Sequence, residues 1–227
     1  MLKKYAEHLP KQFDSYIEPF LGGGAMFVWA YKRNPDATFF LNDVNEDIMR
    51  IYQTIRNDVG GFLLALYNYQ EAFLPLSKPE RKKFYYDLRQ EHAYNYQKWT
   101  DTEEAATLYF LMKTGFNGIW QINKNTNGRF GTPSGLLNQK TKVYDQDNIE
   151  EWHKALQGCT LTSLDYTDCH KFGSPRSFAF LDPPYRGSFT QYGVDFNDQE
   201  QEKVIKLLND LTSSGSHAIM SNRDVGD

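Results

Sequence analysis

The feature that most limits how this chain can fold is the run Leu21-Gly22-Gly23-Gly24, placed between the short apolar segment Ser15–Phe20 and the helix-like stretch Ala25–Tyr31. Three glycines at that point specify a tight strand-to-helix turn, where the backbone can come close to a ligand and the helix amides point outward. Thr38-Phe39-Phe40-Leu41 reads as the next strand, and Asp43 stands at its end, about 20 residues beyond the glycines. An acid at that spacing can accept hydrogen bonds from ribose hydroxyls. The fold class implied is α/β, a Rossmann-like doubly wound sheet, with Gly22, Gly23, Gly24 and Asp43 binding a nucleoside cofactor. This spacing alone serves a nicotinamide dinucleotide and S-adenosylmethionine equally well.

The α/β texture then pauses. Asp47–Asn57 is amphipathic, and Pro79–Tyr94 and Thr102–Lys113 read as two further helices. After Gly115 short apolar pieces are cut by Asn and Gly, with Asn127-Gly128 supplying the turn chemistry of a hairpin. Strands return at Cys159–Ser163, Ser177–Leu181 and His217–Ser221, with a helix near Asn148–Leu156 and another opening at an Asn197 cap. The expected division is a catalytic domain of residues 1–58 and 145–227, and a helical, hairpin-bearing recognition insertion of residues 59–144.

Asp182-Pro183-Pro184-Tyr185 follows the apolar strand Phe178–Leu181, on the same sheet edge as the glycines. Methylating an exocyclic amine is difficult because the nitrogen lone pair is delocalised into the ring. The Asp182 carboxylate and a backbone carbonyl of the motif can each accept one N–H, so the nitrogen becomes tetrahedral and its lone pair faces a sulfonium methyl. Pro183 and Pro184 fix φ and remove donors, stiffening the frame. Tyr185 offers a face for a base flipped out of a duplex. This motif selects S-adenosylmethionine over a dinucleotide and makes Asp182, Pro183, Pro184 and Tyr185 the catalytic group.

Net charge is −4, yet no Asp or Glu occurs from Ala105 to Tyr144, where Lys113, Lys124, Arg129, Lys140 and Lys142 lie. A basic strip on an acidic body is an electrostatic footprint for phosphates. Only Cys159 and Cys169 are present, and no apolar run approaches the roughly 20 residues that span a bilayer. A cytoplasmic protein is expected, with no metal and no membrane partner.

Glu18-Pro19-Phe20-Leu21-Gly22-Gly23-Gly24-Ala25 and Asp182-Pro183-Pro184-Tyr185 resemble the cofactor and catalytic motifs of the Dam-type, D12 class DNA adenine N6-methyltransferases. The likeness runs over nearly the whole chain. Phe116-Asn117-Gly118 through Asn123, Phe130, Pro133 and Gly135 resembles that family's DNA-reading hairpin, and Phe189-Thr190-x-Tyr192 the loop after the catalytic motif. Ser221-Asn222 is similar to the strand end that follows it. The resemblance implies methyl transfer from S-adenosylmethionine to adenine N6 in double-stranded DNA. It places Glu18, Phe20, Gly22, Gly23, Gly24, Asp43, Asp165, Tyr166 and Asp182 at the cofactor. It places Lys113, Asn117, Gly118, Gln121, Asn123, Lys124, Arg129, Pro133, Phe189 and Tyr192 at the DNA. A monomer with a restriction endonuclease in the same system is the expectation.

Three departures from the family pattern are visible. The chain begins after an expected Lys/Trp-Gly-Gly-Lys-like element and stops soon after Ser221-Asn222, so it reads as truncated at both ends. Three rival readings stand beside this one: within enzymes, a methyltransferase acting on RNA or on a protein glutamine; in a different class, a non-catalytic DNA-binding remnant; and, least well, a dehydrogenase that would leave the proline motif unused. Gln121 stands where GATC-reading relatives are expected to carry arginine. Arginine pairs with guanine O6 and N7, and glutamine with adenine N6 and N7, a discrimination of about 1–3 kcal/mol. The target is therefore expected to differ from GATC. Gln121→Arg should change the preferred sequence when parent and variant are compared across all tetranucleotides; an unchanged preference would remove Gln121 from base reading.

Overall fold

Residues 8–185 and 196–222 are described by a computed structural model, so Phe189 and Tyr192 lie outside the described residues. The described residues divide into two compact units, one comprising those up to Met49 and those from Gln157 onward, the other Arg50–Leu156.

The first unit is built on a five-stranded parallel sheet. Its strands are β1 (Ser15–Glu18), β2 (Thr38–Asn42), β3 (Thr160–Thr162), β4 (Ser177–Leu181) and β5 (His217–Met220), in the order β3-β2-β1-β4-β5. Helix α1 (Ala25–Arg33) links β1 to β2, and the last helix, Asp198–Ser213, precedes β5. Strand order reverses beside β1, so the chain leaves β1 towards β2 and returns at β4 on the other side. Such a switch point opens a crevice at the carboxyl ends of the strands.

β1 and β4 are buried along their whole length, as strands covered on both faces must be. Ile17, Ala179 and Leu181 pack with Val204, Leu207 and Leu211 of the last helix. Elsewhere in this unit aromatic rings cluster: Phe178 lies 5.4 Å from Tyr16 and 5.6 Å from Phe13, and Phe27 meets Phe39 edge-on at 5.4 Å.

The second unit contains most of α2 (Glu46–Asn57), then α3 (Val59–Phe73), α4 (Lys78–Asn95), α5 (Asp101–Thr114) and α6 (Gln146–Leu156); the last helix of the chain is therefore α7. Capping boxes at Ser77/Glu80 and Thr100/Glu103 start α4 and α5. Phe110 of α5 sits 5.3 Å from both Tyr69 and Phe73 of α3. α3 carries no separate expectation from the sequence. Gly60-Gly61 masks it, and Asp58 starts it by accepting from the Gly61 amide at 3.0 Å.

The unit boundaries fall at Met49 and Leu156, where the sequence reading placed them at residues 58 and 144. Packing explains the difference: Trp152 of α6 rests 5.2 Å from Tyr52, and His153 Nδ1 meets the Ile55 carbonyl at 2.8 Å.

The expected hairpin is a correction. The Asn127-Gly128 turn is present, with φ of 55° and 72°. Among the described residues, however, the segment forms only two isolated antiparallel bridges, Gly115 with Ser134 and Ile122 with Phe130. The Asn123 carbonyl receives the amides of Thr126 and Gly128, and the buried Thr126 hydroxyl lies 2.9 and 2.8 Å from the carbonyls of Asn123 and Arg129. These local bonds take acceptors that a ladder would need. Gly131 completes the turn, because a Cβ there would lie 2.3 Å from Asn123 Cβ.

Phe178→Ala should lower stability by about 3–5 kcal/mol, the cost of emptying a fully enclosed aromatic site. Urea denaturation followed by fluorescence would measure it, and a loss below about 1 kcal/mol would show that the cluster collapses around the gap.

Candidate active site and nucleic-acid interface

The carboxyl edge of the sheet gathers the residues that the sequence marked. Glu18 ends β1, Asn42 and Asp43 end β2, Leu164-Asp165 follow β3, and Asp182 follows β4. The glycine turn leaves β1 with Gly22 at φ 47° and Gly24 at φ 66°, and Gly24 donates to the Leu21 carbonyl at 2.8 Å. Both angles lie in the left-handed region that glycine alone enters freely. A Cβ on Gly22 or Gly23 would meet nothing within 4 Å, so the run borders open space.

Asp43 holds this turn. Its Oδ2 accepts the Gly22 amide at 2.8 Å and its Oδ1 the Asn45 amide at 2.9 Å. Partial burial pushes the Asp43 carboxyl up from its ordinary range, against the two amides. Each oxygen still has a second lone pair, as a ribose contact would require. Phe20 lies against Tyr166 with ring centroids 4.9 Å apart, and the Tyr166 hydroxyl donates to Glu200 at 2.6 Å. Asp165 is exposed and caps the following 3-10 turn, accepting from the Thr167 amide at 2.9 Å.

Asn42 is the organising residue that the sequence reading passed over. It is 2% exposed, and its carboxamide uses both ends. Nδ2 donates to the carbonyls of Pro19 at 3.0 Å and Leu164 at 3.1 Å. Oδ1 accepts from the Thr162 hydroxyl and the Leu164 amide, each at 2.8 Å. One side chain thus ties together the ends of β1, β2 and β3.

Asp182 is held by two hydroxyls, both on Oδ1: Tyr185 donates at 3.0 Å, and Ser221, just beyond β5, donates as well. The Pro184 carbonyl accepts Gln201 Nε2 at 3.2 Å. Ser221 entered the sequence reading only as a resemblance, and Gln201 not at all; a lone Ser or Gln carries no signal until the fold brings it to the loop.

Glu18 is buried at 3% exposure and accepts from the Tyr16 hydroxyl at 2.8 Å. Burial raises its pKa to about 8, with the nearby carboxylates of Asp182 and Asp43 adding to the shift; the Tyr16 hydroxyl and the Phe27 amide oppose it. Near pH 7 this acid is mostly protonated. Three acids beside an open glycine turn suit a ligand that brings positive charge and hydroxyl donors.

In the second unit the marked residues separate into two groups. Lys113, Asn117, Gly118, Lys124 and Pro133 are exposed, with Asn117 held at φ 52°. Gln121 and Asn123 are partly exposed, and the Gln121 carbonyl accepts the Gly131 amide at 2.6 Å. Arg129 turns inward instead. It pairs with Glu104 and lies 3.5 Å over the Tyr96 ring, while Glu104 also meets Arg50 at 3.3 Å. The expectation of Arg129 as a DNA contact is not matched by this placement, because its charge is already satisfied inside the unit. Lys142 is exposed but paired with Asp145 at 3.0 Å, which further dilutes the basic strip. Tyr85 is fully buried. No described helix is long and apolar enough to cross a membrane.

The family model of the D12 class N6 adenine-specific DNA methyltransferases matches residues 1–226. A type II methyltransferase of Methanocaldococcus jannaschii, M.MjaIII, is 31% identical, with 98% of this chain and 80% of that protein aligned. M.CviBI of Paramecium bursaria Chlorella virus NC1A, also a type II methyltransferase, is 29% identical over 96% of this chain and 76% of its own. A DNA N-6-adenine-methyltransferase of Escherichia phage P1 is 28% identical over 98% of this chain and 28% of its own.

The raised pKa of Glu18 has a measurable consequence. The folded value, about 8, stands above the ordinary 4.5, so the folded state holds the proton more tightly. Its contribution to stability is complete below pH 4.5 and is lost as pH rises through 8. Glu18→Gln removes that dependence. Urea midpoints should therefore fall more steeply between pH 5 and 9 in the parent than in the variant; parallel pH profiles would show that Glu18 is already ionised in the fold.

Proposed function

Because the chain belongs to the D12 class of N6 adenine-specific DNA methyltransferases, we propose that its carboxyl sheet edge binds S-adenosylmethionine and that Asp182-Pro183-Pro184-Tyr185 receives an adenine flipped from the duplex. S-adenosylmethionine, when bound, supplies the methyl group and keeps the electron pair of the broken carbon–sulfur bond.

The glycine turn provides the close approach, and Asp43 accepts from a ribose. Phe20 and Tyr166 would hold the nucleoside, with Asp165 available to accept from its base. Glu18, buried among acids, is mostly protonated near pH 7, and positive charge brought into the crevice would favour its ionised form. At the acceptor the Asp182 carboxylate takes one N–H of the amino group, while a backbone carbonyl of the Asp182–Pro184 turn takes the other. The nitrogen is thereby held with its lone pair towards the methyl group. As the nitrogen gains a methyl and positive charge, the same carboxylate stabilises that charge, accepts the surplus proton and passes it on to solvent. Tyr185 presents its ring to the flipped base, and its hydroxyl with that of Ser221 keeps Asp182 in one orientation. Positioning and fixed dipoles carry most of the rate.

The observation that carries this reading is Asp182 at the end of β4, with both described bonds on Oδ1, in a chain whose full length matches the family. The exposed groups Lys113, Asn117, Gly118, Gln121, Asn123, Lys124 and Pro133 form the DNA-facing set, phosphate contacts setting register and base contacts the sequence. Two relatives have type II names, which supports a restriction endonuclease as the partner in the same system and a cytoplasmic site of action.

Labelled methyl from S-adenosylmethionine should appear on adenine N6 of unmethylated mixed-sequence DNA. Asp182→Ala should lower the rate at least a hundredfold, on the scale of removing one preorganised group at a reacting centre. Full transfer by Asp182→Ala would move the acceptor site elsewhere.

A further inference from the structure

The segment from Gly115 to Gln139 has little regular structure of its own, so its backbone carbonyls need partners from outside. They find them on one helix. Arg81, Tyr85 and Arg89 recur at i, i+4 and i+8 along α4 and therefore share a face. Arg81 Nη1 donates to the carbonyls of Leu137 at 3.0 Å and Gln139 at 2.6 Å. Its remaining nitrogens reach back to Phe73 and Leu74, where α3 ends. The Tyr85 hydroxyl donates to Thr132 at 2.8 Å, and Arg89 Nη1 donates to Gly131 and Thr132, each at 2.9 Å. The Thr132 carbonyl thus receives two side-chain donors. One helical turn further, the Tyr94 hydroxyl reaches the Asn125 carbonyl at 3.1 Å.

These contacts are all to backbone, so they fix the path of the segment and leave its side chains free to vary. Guanidinium and phenol suit this work, since arginine has five donors and no acceptor. Gly131 donates to the Gln121 carbonyl, which couples the Arg89 contact to the strand-like stretch carrying Gln121 and Asn123. We propose that Arg81, Tyr85 and Arg89 are positioning residues for DNA recognition, holding the 119–139 segment in its reading conformation before DNA arrives. A segment ordered in advance loses less freedom on binding, so its affinity and selectivity depend on residues that never touch the nucleic acid. The inference rests on the assignment of this segment to the DNA interface.

The test compares Tyr85→Phe, Arg89→Met and Arg89→Lys with Asn117→Ala, a change on the exposed DNA-facing set. Tyr85→Phe keeps the ring and removes only the hydroxyl. Backbone amides of 119–135 should exchange with deuterium faster in Tyr85→Phe and Arg89→Met than in the parent. KM for DNA should rise about fivefold, the effect of one net hydrogen bond. The kcat at saturating DNA and the affinity for S-adenosylmethionine should stay near parental values. Discrimination between the preferred site and single-base variants should narrow, and Arg89→Lys should restore part of each loss. If Asn117→Ala weakens DNA binding while Tyr85→Phe and Arg89→Met do not, the positioning role is overturned and the interface stands. If none of the changes alters DNA binding, the interface assignment fails and the inference with it.

Discussion

A single buried carboxamide governs the carboxyl edge of the sheet. Asn42 has little contact with solvent, and its Nδ2 and Oδ1 bond to groups at the ends of three parallel strands. In a low-dielectric interior such bonds are strong and an unmet one is costly, so the arrangement has essentially one solution. Pro19, held by Asn42, begins the turn that leads to Gly22. Asp43, the next residue, closes that turn by accepting the Gly22 amide. Leu164, held at both its amide and its carbonyl, leads into Asp165. Three loops at the carboxyl sheet edge therefore take their positions from one buried residue. Asp182 stands on the neighbouring strand and is fixed in turn by Tyr185 and Ser221.

The second unit solves a different problem by similar means. Its segment from Gly115 to Gln139 is too irregular to satisfy its own backbone, and α4 supplies donors along one face. Charge is also handled internally: Glu104, 5% exposed, is surrounded by Arg50, Arg129 and His92. A buried carboxylate without partners would be strongly destabilising, and two guanidiniums compensate it. The cost is that Arg129 no longer counts towards the basic surface.

Much of the first unit was legible in the sequence because each signal was local. The strands are short apolar runs ended by turn residues, and β1, β2, β4 and β5 fall within a residue or two of their expected positions. The Asn197 cap was readable as well, since Asn197 Oδ1 accepts the Glu200 amide at 3.1 Å. Gly22–Gly24 and Asp182–Tyr185 carry their chemistry in residue type and spacing. What the sequence hid depends on contacts between distant residues. Asn42 looked like an ordinary strand end, and Thr162 and Leu164, its partners, lie about 120 positions away. Helix α3 was obscured by paired glycines in its first turn. The hairpin signal was sound for the Asn127-Gly128 turn but not for the flanks, where local hydroxyl and side-chain bonds displaced the ladder. Counting charges along the strip overstated its basicity, because a count cannot see that Arg129 meets Glu104.

The most direct measurement is hydrogen exchange of the intact chain with and without saturating S-adenosylmethionine. If the three loops gathered by Asn42 form the cofactor site, protection should rise at Leu21–Gly24, Asp43–Asn45 and Leu164–Thr167, while α3 and α5 keep their exchange rates. Protection confined to other segments, or none at these three despite binding, would contradict the assignment of the carboxyl sheet edge.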